Sequence, residues 1–408
     1  MALPEIYFFG INVVRFAIDF GNFYALFLAI SLTLNLEFGY TGIPNFGKVL
    51  YVAAGAVVAG SVSLRLAAWV YNIDTGGDII VNSARIVSEA NTLIRGEPLF
   101  ALGMILLTMF LAALIGAAFG YLSSYPAISL RQDYLGILLL AVASFFQIFL
   151  RGYEPLIGGT QGISGIPNPY AYWSTLGVGV KDLASTLVIA GFAILVYLYL
   201  ERVARSPLGR TLRAIRDNES ASRALGKDDV AIRKKVLVVA SAISGMAGAL
   251  LTFNVLSVGA DTWTRITYTF WPWVIVIIGG AGNNVGVAAG AFFFTAFAKG
   301  LEQFKFRFQP YIPIDVNWFQ YLAFASLLII VLMVRPEGIV REKSTHTLSK
   351  RVLAGLAASK GGEVGIGPPS AVVGSNARGK SRLVKVLNAF RRKKAEPMER
   401  SESERTEL

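Results

Sequence analysis

Residues 99 to 122 read LFALGMILLTMFLAALIGAAFGYL, 24 positions without a charge. A helix needs about 20 predominantly apolar residues to cross the hydrocarbon core of a bilayer, so this stretch decides for a membrane fold. Further runs lie at 49 to 70 and 236 to 258, with slightly shorter ones at 22 to 38, 134 to 150, 183 to 200 and 318 to 334. Trp69, Tyr71, Tyr121, Tyr134, Tyr197, Tyr199 and Trp318 fall near their ends, where aromatic side chains anchor helices at the lipid–water interface. Residues 270 to 282 and 285 to 298 are too short to span comfortably and are separated by Gly279-Gly280-Ala281-Gly282-Asn283-Asn284, which predicts a tight hairpin or a pair of half-helices. Residues 6 to 20 carry Arg15 and Asp19, which favours an interfacial helix over a tenth span. The expected fold is all-α: a polytopic integral membrane protein with about eight to ten transmembrane helices, some broken or short.

Composition agrees with that reading. Hydrophobic residues make up 54% of the 408 positions and charged residues 16%, against about 45–50% and about 25% in soluble proteins, which excludes a multidomain soluble enzyme. The formal charge of +12 is concentrated: residues 201 to 235 hold ten basic and five acidic residues, and residues 341 to 408 hold fifteen and seven. Basic charge confined to one loop and one tail is what the positive-inside rule expects of cytoplasmic segments, and it argues against nucleic-acid binding. With both stretches in the cytoplasm, the acidic segment 71 to 98 and the loop 152 to 182 fall outside. The count of nine spans then closes, with the N-terminus outside and the C-terminus inside. The first basic residue is Arg15, so no cleaved signal peptide is expected. Without Cys there is no disulfide or thiolate chemistry. Residues 1 to 340 form the membrane domain, and the Gly-, Pro- and charge-rich stretch 341 to 408 is expected to be a disordered basic cytoplasmic tail.

Transport needs an energy source. Ion-coupled transporters place ionisable groups inside their spans, whereas Glu37, Lys48, Arg65, Arg131 and Arg151 fall at or near span ends. For the internal Gln147 and Asn254, helix-packing hydrogen bonds are the favoured role. Energy is therefore expected from outside the membrane domain, through the basic loop. Ser206 is placed to cap a helix with Pro207 at its first position. Leu208, Leu212 and Ile215 make an apolar stripe, beside Arg210, Arg213 and Arg216. Asp217 or Asn218 then caps a second short helix through Ala221, Ala224 and Leu225, stopped by Gly226. A helix resting on anionic lipid would leave the second capped helix unexplained; a docking element for a soluble partner explains both.

The stretch Ser206-Pro207-Leu208-Gly209-Arg210-Thr211-Leu212-Arg213-Ala214-Ile215-Arg216-Asp217-Asn218-Glu219, continuing to Arg223-Ala224-Leu225-Gly226, resembles the cytoplasmic coupling loop of the branched-chain amino acid ABC transporter permeases. Four further stretches resemble the family in the same order. They are Gly39 to Gly47, Gly158 to Pro167, Ser244 to Leu250, and Gly279 to Gly286 together with the ending Arg335-Pro336-Glu337-Gly338-Ile339. The pattern is similar to the M-type permease of the pair such transporters use. The resemblance implies an importer of branched-chain or related amino acids in the cell membrane. Its implied partners are a second permease subunit, two cytoplasmic ATP-binding subunits and an external substrate-binding protein. The chain itself is expected to carry no catalytic residue, metal or cofactor.

On this reading Ser206, Pro207, Arg210, Leu212, Arg213, Ile215, Arg216, Glu219 and Gly226 are the candidates for ATPase coupling. Helix breaks at membrane depth are tolerated where the freed backbone is buried in protein or lines a cavity. Gly39, Gly42, Asn45, Gly47, Gly280, Gly282 and Asn284 are accordingly candidates for the translocation pathway, with tight packing of small residues as the alternative. Gly159, Thr160, Gln161 and Gly162 form an external docking or gate surface, or else a plain flexible loop. At Asn45 and Lys48 the family usually shows Ser and His, which leaves the substrate open. A permease for urea or short amides, and a self-contained channel or secondary transporter, are the alternatives. In the tail, Gly374 to Ser381 satisfies the P-loop pattern without a preceding strand long enough for a nucleotide fold, and the single histidine, His346, cannot build a site alone.

Overall fold

A computed structural model of the chain describes residues 7–8, 11–130, 132–177, 179–308, 316–335 and 337–342. Two antiparallel strands, Tyr7–Phe8 and Ile11–Asn12, precede the first helix, which Asn12 caps by accepting from the N–H groups of Val14 and Arg15. The helices that follow are α1 (Val13–Leu34), α2 (Lys48–Val70), α3 (Ser83–Ile94), α4 (Pro98–Ser129), α5 (Gln132–Gly152), the single turn α6 (Glu154–Ile157), α7 (Val180–Arg205), α8 (Pro207–Asp217), α9 (Glu219–Ala224), α10 (Asp229–Val255), α11 (Trp271–Gly279), α12 (Asn284–Phe308) and α13 (Val316–Val334). Among the described residues seven helices are long and apolar enough to cross a membrane, and Ile266–Gly279 and Trp318–Val334 are shorter apolar helices. The fold is all-α and polytopic, as expected, with the strand pair as a small addition.

Two boundaries differ from the sequence reading. Residues 13 to 20 are not a separate interfacial helix: α1 runs through Arg15 and Asp19 without a break. The stretch after Asn284 is a full helix of 25 residues, not a half-helix: it continues past the apolar run through Lys299 and Glu302, which pair one turn apart. Lys299 Nζ lies 2.8 Å from Glu302 and its ammonium covers the Phe23 ring at 5.2 Å. The hairpin between α11 and α12 is otherwise as expected.

The centre of the bundle is α2 and α10. Their apolar windows are 78% and 72% buried, against 28% to 44% for the other five long helices, so the latter form the outer ring. Without a hydrophobic drive inside lipid, helix contact depends on close backbone approach, and small residues supply it. A methyl group on Gly245 of α10 would stand 2.5 Å from the carbonyl oxygen of Ala112 in α4, and one on Gly116 2.5 Å from that of Ser241. Gly248 meets the Val52 carbonyl of α2 in the same way. Gly248→Leu is therefore expected to overpack the centre by about 1–3 kcal/mol or more and to lower the thermal stability of the purified protein. Gly103→Ala, with nothing within 4 Å, should leave it unchanged.

The chain divides into Met1–Lys343 and Ser344–Leu408. His346, the P-loop pattern and the charged runs of the tail lie outside the described residues, as does Arg131.

Candidate functional site

Helix α8 starts on Pro207, which lacks the N–H that a first turn leaves unpaired. Ser206 does not cap it: its hydroxyl donates back to the Val203 carbonyl at 2.7 Å. Gly209 presses against the Ala204 carbonyl at the end of α7. Leu212 and Ile215 are fully buried in this chain, so the apolar stripe holds α8 to its own membrane domain. The exposed face instead carries Leu208, Arg210 and Ala214. Asn218, not Asp217, caps α9 by accepting from Ala221 N at 3.0 Å. Leu225 follows at 80% exposure and Gly226 ends the turn at φ +75°. Glu219 ties α9 to α10 by a contact of 2.7 Å to Arg233, while its other oxygen lies 2.7 Å from Arg223 within α9.

The remaining arginines point away from this surface. Arg216 Nη2 lies 2.9 Å from Glu342, Arg216 Nη1 donates to the Gly39 carbonyl, and Arg213 Nε lies 3.2 Å from the same Glu342 carboxylate. The Arg213 guanidinium also stands 5.1 Å from the centre of the Tyr40 ring. Burial works against the charge of Arg216, but hydrogen bonds to Glu342 and Asp217 outweigh it and hold its pKa above the ordinary value.

Both helix breaks meet at this end of the bundle. Helix α1 continues as a π-helical segment, Asn35–Tyr40, and regular structure stops at Gly42, φ +77°, until Lys48. Helix α11 stops at Gly279, and Gly280 and Gly282 hold φ of +105° and +80°. Asn35 joins the two: its Oδ1 accepts from Gly282 N at 2.8 Å and its Nδ2 donates to Asn284 Oδ1 at 2.9 Å. Asn284 Nδ2 then donates to Glu201 of α7 at 3.0 Å. The segment 337 to 342 lies along the second break, with Ile339 N on the Ile278 carbonyl (2.8 Å), Val340 N on the Gly279 carbonyl (3.1 Å) and Asn283 Nδ2 on the Arg341 carbonyl (3.0 Å). Several groups that the breaks free are thus satisfied inside the protein, which is why the breaks persist.

Sequence reasoning missed one feature of the first break. Glu37 and Lys48 stand at span ends, as expected, but they also form an ion pair of 2.9 Å across the break with both side chains at 0% exposure. Two opposite charges bracketing a break in an otherwise neutral run were the available signal. Asn45 is equally buried, with Oδ1 accepting from Gly47 N (3.0 Å) and its carbonyl accepting from Trp273 Nε1 (3.1 Å). Gln147 and Asn254 make the expected packing hydrogen bonds, to the Ala260 carbonyl at 3.3 Å and to Ser185 at 3.0 Å.

At the opposite end α3 buries Ile86, Val87, Ala90 and Ile94 on one face, so the long acidic segment is built around an amphipathic helix. The loop from Gly158 to Pro167 uses left-handed glycines at 158, 159, 162 and 165 and is pinned by a β-bridge between Ile163 and Val258, 2.8 Å from N–H to carbonyl. Gly159 is buried within it, while Thr160 and Gln161 stand exposed at its tip.

A multi-pass bundle whose basic helix pair is tied to two interrupted helices has the construction of a transport permease. The chain belongs to the family described as the permease component of the branched-chain amino acid transport system, whose model matches residues 17–333. It is 35% identical over 334 residues to the probable branched-chain amino acid transport permease protein LivM of Methanocaldococcus jannaschii, covering 81% of this chain and 95% of that protein. It is 28% identical over 250 residues, 56% of each chain, to the high-affinity branched-chain amino acid transport system permease protein LivM of Salmonella typhimurium, and 27% identical over the same share to that of Escherichia coli. No solved structure matches the chain.

Proposed function

We propose that this permease imports branched-chain amino acids as one membrane subunit of an ABC transporter, alongside a second permease, two cytoplasmic ATP-binding subunits and an external binding protein. It spans the cell membrane with α8, α9 and the C-terminus in the cytoplasm, the side the positive-inside rule favours for the basic loop. The observation that carries this reading is the double attachment of α8. Arg216 holds the first break through Gly39 and, with Arg213, the second through Glu342. A displacement of α8 by an ATPase therefore reaches both interrupted helices directly. The ATPase is met by the outer face, Leu208, Arg210, Ala214 and Leu225, and the binding protein by Thr160 and Gln161.

Ile215→Asp would bury a charge and damage the fold. Leu208→Asp combined with Leu225→Asp leaves the fold intact, since both side chains are exposed. In vesicles holding the complete transporter, the double substitution is expected to reduce ATP-driven leucine uptake about tenfold or more, the loss typical of hot-spot truncation at an interface. Undiminished uptake would remove the outer face from the interface.

A further inference from the structure

Four buried polar atoms beside the first break make no well-formed hydrogen bond to any described residue: Glu37 Oε1, Asn45 Nδ2, the Tyr51 hydroxyl and Ser241 Oγ. All four side chains are at 0% exposure. They are neighbours: the Tyr51 hydroxyl faces Asn45, Ser241 and Ser123, and the Asn45 amide faces the Glu37 carboxylate. Lys48 closes the group, 2.9 Å from Glu37 Oε2 and 5.8 Å from the centre of the Tyr51 ring. Buried groups without partners are costly and native structures keep few of them, so four in one place call for an explanation.

Next to them runs an open groove of about 520 Å³ between α4 and α5, lined by Leu50, Ser123 and Leu139 on its inner side and by the exposed Leu122, Phe145 and Phe149 on its outer side. Ser123 belongs to both. Apolar walls with a few convergent polar groups are the usual make-up of a small-molecule site.

We propose that this cluster and groove form a site in the membrane domain for the transported amino acid, the cluster taking its zwitterionic head and the groove its branched side chain. Glu37 Oε1 and Ser241 Oγ accept from the ammonium group. Asn45 Nδ2, the Tyr51 hydroxyl and Lys48 Nζ donate to the carboxylate. With no ligand the Glu37–Lys48 pair neutralises itself, which explains how two charges are tolerated there. Asn45 and Lys48 stand at one end of the break whose other end, Gly39, is held by Arg216, so the motion that couples ATP hydrolysis also acts on the site. The inference rests on the reading of the chain as a branched-chain amino acid permease.

Tyr51→Phe and Ser241→Ala each remove one hydroxyl that makes no well-formed hydrogen bond, so a merely structural cluster predicts nearly unchanged thermal stability with no other effect. The test is equilibrium binding of radiolabelled leucine to the purified permease–ATPase complex without binding protein, with and without ATP. We expect saturable binding in at least one nucleotide state, weakened about tenfold in each variant at undiminished stability, and weaker binding of glycine, which cannot fill the groove. The absence of leucine binding in every nucleotide state of a complex active in uptake would overturn the proposal. So would binding unchanged in both variants, which would leave the four atoms to buried water. A wild-type transporter that hydrolyses ATP yet takes up no branched-chain amino acid would instead overturn the functional reading, and this inference with it.

Discussion

Arg216→Gln is expected to abolish most ATP-driven uptake while leaving the transporter assembled. The side chain makes a charged contact of 2.9 Å to Glu342 and donates to the Gly39 carbonyl, two links that glutamine cannot reproduce together. Hydrogen bonds involving charged groups contribute about 1.5–3 kcal/mol each, so losing the link corresponds to a roughly 10- to 100-fold fall in uptake. The ATPase subunits should still bind, because the outer face of α8 is untouched. Uptake and ATP hydrolysis measured on the same vesicles check this, the account requiring uptake per ATP to fall rather than hydrolysis alone.

The second large effect is on stability. Lys48→Ala leaves the Glu37 carboxylate buried without a counter-charge, and breaking a buried pair from one side costs about 3–5 kcal/mol. For a membrane domain this should appear as loss of folded protein in detergent. Replacing both partners, as Glu37→Leu with Lys48→Met, removes the uncompensated charge and should restore most of the stability. The doubly substituted protein should nevertheless fail in uptake, since a zwitterion then finds neither charge. Thermal unfolding and uptake of the single and double variants separate the two roles; a stable single variant would show that the pair is less isolated than its burial indicates.

What could be read from the residues followed physical scale. Spans are long-range averages of hydropathy, so 99 to 122 and 236 to 258 identified themselves, and the helix pair 207 to 224 carried its own signals in Pro207, Asn218 and Gly226. Periodicity showed that Leu212 and Ile215 share a face and that the face is apolar. It could not show that the face packs inward, because a stripe states only that something covers it. Contacts across a break were illegible for the same reason: Glu37 and Lys48 are separated by a segment whose path no local rule sets. The role of Glu342 was hidden by composition. It opens a stretch rich in Gly, Pro and charge, yet its carboxylate returns to Arg213 and Arg216. The helix within 71 to 98 was readable from Ile86, Val87, Ala90 and Ile94 at helical spacing, but an acidic loop drew attention to its charge instead.

If α8 drives the interrupted helices through the arginine–Glu342 link, a double-mutant cycle across that contact shows it. ATP-driven leucine uptake is measured for the wild-type transporter, Arg216→Gln, Glu342→Gln and the double variant. If the two residues act as one link, the double variant loses little more than the worse single variant, giving an interaction energy of about 1 kcal/mol or more, within the range for residues in one network. If the losses simply add, or if Glu342→Gln transports as well as the wild type, α8 does not work through this contact and the account is wrong.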